Sequence, residues 1–317
     1  MLKYKIVFTL MKYDYEIAIV GAGASGYSAA IYGGRSGAKV VVFDRGMGGG
    51  LTMEAPKVEN YPGFRSIGGA ELMEKMKEHA MDYAEMKFGE EVKDIKVSKD
   101  GVEIVTDKNK YFAGAIILCT GTEHRKLGVK GEKEFQGRGV SYCATCDGFF
   151  FKGKKVAVIG GGNSAVIEAI FLRQIDIDVT IIHRRDELRA EKALEKEAKE
   201  KGVKFIWNSI VKEIIGNEMV SGIKIKNIKT GEEKVIKVDG VFVSIGEEPQ
   251  NKLAKQIGLK LDENGYIIVD EMGRTNIDRI FAAGDVTGGI RQIITSAAEG
   301  AKASLASMSV IGKRSPY

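Results

Sequence analysis

The chain has 317 residues, among them 40 Gly, 4 Pro and 3 Cys, and its 48 basic and 43 acidic side chains leave a formal charge of +5. Such a length predicts about two domains; the glycine share is roughly twice the usual one, without the G-X-Y period of collagen, and three cysteines cannot staple a disulfide-rich secreted scaffold. The charges are interspersed, with no basic block of the kind nucleic acid requires, and no apolar run approaches the roughly 18 residues of a membrane helix. Met1–Leu10 has lysines and a short apolar run but neither the long apolar region nor the small-residue cleavage site of an export signal. Met11 is therefore a candidate start, and a cytoplasmic location is expected.

Tyr15–Val20 reads as a strand and runs into Gly21-Ala-Gly-Ala-Ser-Gly26. An Ala-rich helical stretch follows to about Arg35, then a second strand at Lys39–Phe43 and an acid, Asp44. This is a G-x-G-x-x-G loop in its full context: strand before, helix after, carboxylate at the end of the next strand. Gly21 permits the tight turn, Gly23 lets backbone approach a pyrophosphate, and Gly26 lets helix and strand pack. The helix N-terminus offers N–H groups to the phosphates, and Asp44 would accept hydrogen bonds from a ribose hydroxyl. A glycine-rich segment, Gly46–Gly50, and the loop Leu51–Gly63 follow, where a long dinucleotide such as FAD could extend.

The same unit recurs. Lys155–Ile159 is a strand, Gly160-Gly-Gly-Asn-Ser-Ala165 the loop, Val166–Arg173 a helix and Asp178–Ile182 the next strand. Ala165 replaces the third glycine, which the fingerprint permits. Where the first unit has Asp44, the second has His183-Arg184-Arg185, with Arg189 one turn further into a helical stretch. A carboxylate would repel a 2′-phosphate, whereas guanidinium forks bind it. The first site is thus expected to take a dinucleotide with a free ribose and the second NADP. Two such sites in one chain point to electron transfer between two cofactors. Near the C-terminus a short strand ends in Gly284-Asp285, ahead of a helical stretch from about Thr295, which places a carboxylate near a helix start.

Cys143-Ala-Thr-Cys146-Asp147 stands between the two glycine loops. A Cys-x-x-Cys pair can close a small redox disulfide, and Asp147 is placed to move a proton. A zinc half-site and a structural disulfide are the competing readings. Zinc needs four ligands, and Cys119, His79, His124 and His183 have no metal-site spacing, so no metal is expected. Cys119 ends an apolar strand and reads as a buried thiol; Trp207, Met73 and Met76 read as packing residues.

In their order these motifs resemble the low-molecular-weight thioredoxin reductases of bacteria and archaea, class II pyridine nucleotide-disulfide oxidoreductases. The resemblance runs from about Tyr15 to Val310 and rests on Gly21–Gly26, Gly48-Gly-Gly-Leu-Thr52, Val58-Glu-Asn-Tyr-Pro-Gly63, Cys143–Gly148, Gly160–Ala165, His183–Ala190 and Gly284-Asp285 with Arg291-Gln292. It implies an α/β fold of two Rossmann-like, three-layer ββα domains. It further implies that an NADPH domain, 128–243, is inserted into an FAD domain formed by 1–127 and 244–317, and that the chain forms a homodimer.

Carried over by position, FAD would be held by Gly21, Gly23, Ala24, Ser25, Gly26, Asp44 and Arg45. Gly49, Gly50, Leu51, Thr52, Asn60, Thr120 and Gly121 would continue that site, and Gly284, Asp285, Arg291, Gln292 and Ile293 would complete it. NADPH would be held by Gly160, Gly162, Asn163, Ser164 and Ala165, by His183, Arg184, Arg185 and Arg189, and by Ile245 and Gly246. Cys146 would face the flavin, Cys143 would attack a thioredoxin-like protein, and Asp147 would serve as acid and base. The two segments joining the domains would act as hinges for a rotation of the inserted domain. The sequence departs from the family pattern at Gly50, where Gln is frequent, and at Cys119, where Ala is common. Two alternatives share both loops: a ferredoxin-, flavodoxin- or oxygen-linked NADPH flavin oxidoreductase, and a redox sensor without turnover.

Overall fold

The computed structural model describes residues 13–55 and 57–314, so the expectation about Met1–Leu10 lies outside the described residues. The chain divides into two compact units. One takes the residues up to Met53, Ala70–Thr122 and those from Pro249; the other takes Glu54–Gly69 and Glu123–Glu248. The loop segment 54–69 therefore counts with the second unit rather than with the strands that flank it in sequence.

In the first unit Tyr15–Val20 sits inside a seven-stranded sheet, paired in parallel with Val40–Asp44 on one side and Lys110–Leu118 on the other. Ala84–Phe88 extends the parallel edge beyond Val40–Asp44. Lys110–Leu118 changes partner along its length. Its first half pairs antiparallel with Val102–Thr106, which pairs antiparallel with Val92–Val97, and its second half pairs in parallel with Ile280–Ala282. Side chains alternate across the sheet. Ile17, Ile19, Val40, Val42 and Ile117 pack with Tyr27, Met73 and Ala303 on the helical face, while Ala18, Val41, Phe43 and Ile116 join Ile95, Leu253 and Ile267 in a separate core.

Helix Ala24–Arg35 leaves the glycine loop and lies against helix Ile293–Ser307. Small residues allow this: a Cβ on Gly300 would run into the backbone carbonyl of Ser25. The second helix starts two residues earlier than its pattern predicts. Gln292 is its N-cap, and the Gln292 N–H donates to Thr295 Oγ1 at 3.2 Å.

The second unit is built on five parallel strands in the order Lys204–Ile206, Asp178–Ile182, Lys155–Gly160, Gly240–Ser244, Val140–Ser141. Val156, Val158, Val179 and Ile181 face a core with Val166 and Ala169 of helix Asn163–Gln174 and Ala198 of helix Lys192–Glu200. Ala157, Ile159, Val241 and Val243 face Val211, Ile214 and Ile223 of an antiparallel ribbon, Ser209–Gly216, Val220–Asn227 and Glu233–Ile236. The unit thus has three layers: ribbon, parallel sheet and helices.

One predicted element starts late. Residues 183–191 form bends, and the helix expected around Arg189 begins only at Lys192. The cause is a pair of tertiary hydrogen bonds: the Arg189 and Ala190 N–H groups both donate to the Gly161 carbonyl, at 2.7 and 3.2 Å. A helix running through them would need these N–H groups to donate to the carbonyls four residues earlier, at Arg185 and Asp186; instead they donate to the glycine loop, and the Arg185 carbonyl accepts from the Asn208 N–H. Among the described residues no helix is long and apolar enough to cross a membrane.

Candidate functional site

The two glycine loops meet the same steric demands. Gly21 has φ +105°, and a Cβ there would run into the Cys119 carbonyl; a Cβ on Gly160 would run into the Ser244 carbonyl. The second glycine of each loop is different: around Gly23 and Gly162 a Cβ would meet nothing within 4 Å. Both also stand as N-caps without a side-chain hydrogen bond, so neither loop spends a side chain on the first-turn N–H groups of its helix. An open cradle over uncapped N–H groups is what a pyrophosphate requires.

The first unit gathers further groups around its cradle. Asp44 Oδ2 accepts from the Ala22 N–H at 2.8 Å and Oδ1 from the Gly46 N–H at 2.7 Å, which locks the carboxylate at the loop. The Gly49 N–H donates to the Ala22 carbonyl at 2.7 Å, and Gly50 stands beside Gly23. Leu51 and Thr52 follow, half-buried in a 3₁₀ turn, while Arg45 is exposed. Thr120 Oγ1 donates to the Gln250 carbonyl at 2.7 Å, and Gly121 opens to free space.

Across the cradle, Gly284 lies against Ser25, and Asp285 Oδ1 accepts from Ser296 Oγ at 2.8 Å in the first turns of helix Ile293–Ser307. Arg291 Nη1 donates to Tyr266 Oη at 2.7 Å. The structure thus brings Gly23, Ser25, Asp44, Gly50, Gly284 and Asp285 into one neighbourhood. Asn60 is exposed on segment 54–69 and belongs to the other unit.

Sequence reasoning missed Glu299. Its Oε2 accepts from the Gly284 N–H at 2.9 Å, and burial, reinforced by Asp285, pushes its carboxyl above the usual range. The signal available was a single acid in an otherwise Ala-, Ser- and Gly-rich helix. Cys119 is buried, and burial pushes its thiol up to about 12, so it is no nucleophile near neutral pH.

In the second unit the loop is braced from below. His183 is buried against Gly161, where a Cβ would run into its ring. Burial lowers its pKa, the Gly160 backbone opposes this, and Arg185 and Arg189 lower it further, leaving a neutral imidazole. Arg184, Arg185 and Arg189 are exposed around it, and none has a carboxylate partner among the described residues. Asn163 bonds Glu191 twice, Oδ1 accepting its N–H at 2.9 Å and Nδ2 donating to Oε1 at 3.1 Å, which ties the helix start to the arginine segment. Ser164 is exposed on the first turn, Ala165 is buried, and the Gly246 carbonyl accepts from the Arg125 N–H at 3.0 Å.

Cys143 and Cys146 are joined as a disulfide, with Cα atoms 5.3 Å apart. Cys143 is the N-cap of the short helix Ala144–Asp147, and its Sγ accepts from the Cys146 N–H at 3.2 Å. Asp147 Oδ2 accepts from Ser141 Oγ at 2.6 Å. Burial pushes the Asp147 carboxyl up, opposed by that hydrogen bond. This is a dithiol–disulfide pair with a carboxyl of raised proton affinity built into the same turn.

The model of the pyridine nucleotide-disulphide oxidoreductases matches residues 15–300. The chain belongs to the pyridine nucleotide-disulphide oxidoreductase family. Among its relatives in that family, a thioredoxin reductase of Listeria monocytogenes is 45% identical over 290 residues, with 90% of each chain covered. One of Bacillus subtilis is 43% identical over 300 residues, with 93% of each covered. The crystal structure of a thioredoxin reductase from Streptococcus pyogenes superposes with a TM-score of 0.90 at 41% identity, over 94% of this chain and 98% of that one. Pyridine nucleotide-disulphide oxidoreductases work with a flavin and a nicotinamide nucleotide. The donor sets fit that pair: each unit has an open cradle over uncapped N–H groups, one flanked by a carboxylate, the other by three arginines.

Proposed function

We propose that the chain is an NADPH-dependent thioredoxin-disulfide reductase, working as a homodimer in the cytoplasm. The observation that carries this reading is the Cys143–Cys146 disulfide with Asp147 in its turn, on the unit that also holds the Gly160–Ala165 loop and its arginines. The names of the relatives support it over nine-tenths of the chain. FAD is assigned to the group around Gly23, Asp44, Gly284 and Asp285, within a domain of residues 1–127 and 244–317. NADPH is assigned to the cradle at Gly162 with Arg184, Arg185 and Arg189, within 128–243.

When bound, the flavin supplies a two-electron relay between the nicotinamide and the disulfide. The protein's own part is thiol chemistry. Opening the disulfide takes two electrons and two protons and leaves the Cys143 sulfur at an N-cap, where the Cys146 N–H stabilises a thiolate. Cys143 then attacks the disulfide of a thioredoxin-like protein, Cys146 resolves the mixed disulfide, and Asp147 moves the proton. The test is NADPH oxidation coupled to reduction of a thioredoxin. Turnover is expected in the parent, with none in Cys143→Ser or Cys146→Ser; turnover surviving both substitutions would defeat the assignment.

A further inference from the structure

We propose that Ser141 is a positioning residue for the exchange chemistry, holding the Asp147 carboxyl in one orientation against the backbone of Cys143. The inference rests on the reductase reading above. Ser141 ends the edge strand Val140–Ser141 and is 5% exposed. Its Oγ lies 2.6 Å from Asp147 Oδ2 and 3.1 Å from the backbone nitrogen of Cys143. A hydroxyl has one proton and two lone pairs. The carboxylate can only accept and the N–H can only donate, so Ser141 accepts from the Cys143 N–H and gives its one proton to Asp147, a nearer acceptor than the Cys143 carbonyl at 3.3 Å. The Asp147 N–H donates in turn to the Cys143 carbonyl at 3.1 Å. The carboxyl is thus tied to Cys143 through both its side chain and its backbone.

This arrangement divides the labour between the two carboxyl oxygens. Oδ2 is engaged by Ser141, while Oδ1 is buried and has no hydrogen-bond partner among the described residues. Oδ1 is therefore the oxygen left to take and return a proton. The Ser141 hydrogen bond favours the ionised carboxyl and opposes the effect of burial. In the exchange, a Cys143–partner sulfur bond forms as the partner's S–S bond breaks. A Cys146–Cys143 bond then forms as the mixed disulfide breaks. The dithiol is oxidised by two electrons, the partner's disulfide is reduced by two, and the two thiol protons end on the partner's sulfurs. Oδ1 accepts one of these protons from a thiol of the pair and gives it to a leaving thiolate.

The test uses the holoprotein, reduced with dithiothreitol, freed of reductant and reacted with DTNB from pH 5 to pH 9. Ser141→Ala is expected to move the apparent pKa of the exchange upward by about one pH unit and to slow the reaction at pH 7 about tenfold. In an Asp147→Asn background the same substitution is expected to move nothing. Ser141→Gly, which removes the hydroxyl without adding volume, is expected to repeat the shift should Ser141→Ala fail to fold. An unmoved profile in either folded variant would overturn the proposal, as would an equal shift in the Asp147→Asn background. A parent dithiol that reacts with DTNB but with no thioredoxin would instead count against the reductase reading and leave this test intact.

Discussion

Arg184 and Arg185 stand exposed at the end of a strand with no carboxylate partner among the described residues, so a 2′-phosphate would meet both unneutralised. Replacing both by Ala should raise the KM for NADPH by about 10- to 100-fold, the size of a lost pair of charge-assisted hydrogen bonds, and leave that for NADH within about twofold. Steady-state kinetics with the two coenzymes decide this, and equal effects would undo the NADP assignment. Glu299 makes a prediction of a different kind. Burial, reinforced by Asp285, raises its carboxyl pKa, so the folded chain favours the protonated form. That stabilisation is complete below the ordinary carboxylate pKa of about 4.3 and is lost as pH rises through the raised value. Glu299→Gln cannot ionise and its amide oxygen can still accept from the Gly284 N–H. It should therefore gain in Tm over the parent between pH 4 and pH 8, with the difference closing at low pH. A constant difference across that range would show that ionisation of Glu299 is not involved.

At the scale of elements, the packing of helix Ile293–Ser307 on Ala24–Arg35 decides whether the first cradle exists. It sets Gly284 and Ser296 beside Ser25, and it depends on Gly300, where a Cβ would meet the Ser25 carbonyl rather than a side chain that could move aside. Gly300→Ala should therefore cost about 1–3 kcal/mol and lower Tm by roughly 5 °C, with a parallel loss of flavin on dilution. Lys302→Ala, on the exposed side of the same helix, should do neither. The contrast is read by thermal melts and flavin fluorescence. The local patterns in sequence located these elements well: strand Asp178–Ile182 and the strand-loop-helix order of both units lie where spacing puts them. Spacing failed at 183–191, where intrinsic preference favoured a helix but the Gly161 carbonyl took the Arg189 and Ala190 N–H groups. It also passed over Ser141, and over Glu299, whose only mark in the sequence is to be the single acid of its helix. Each acts through hydrogen bonds to groups whose positions depend on how a turn or a helix docks.

For the whole molecule, the two proposed cofactor sites and the disulfide belong to one chain, which makes its optical behaviour a test. The purified protein should be yellow and should bleach on addition of NADPH. A Cys143→Ser, Cys146→Ser double variant should still bleach yet reduce no thioredoxin. A colourless protein that takes up no FAD would defeat the flavoenzyme reading. The order and spacing of the glycines and cysteines determine two glycine-rich strand-to-helix loops and one close cysteine pair. Those are short-range facts: a turn that needs φ above zero, a strand running into a helix, two sulfurs three residues apart. The tertiary structure alone decided that His183 is buried beneath Gly161 and that Asp44 is locked by the Ala22 and Gly46 N–H groups. It also decided that one oxygen of Asp147 is engaged while the other is buried without a hydrogen-bond partner among the described residues. The His183–Gly161 and Asp44–Ala22 contacts join segments about 20 residues apart, and even the short-range bonds of Asp44 to Gly46 and of Asp147 to Ser141 depend on how the chain turns and is buried, which spacing does not carry.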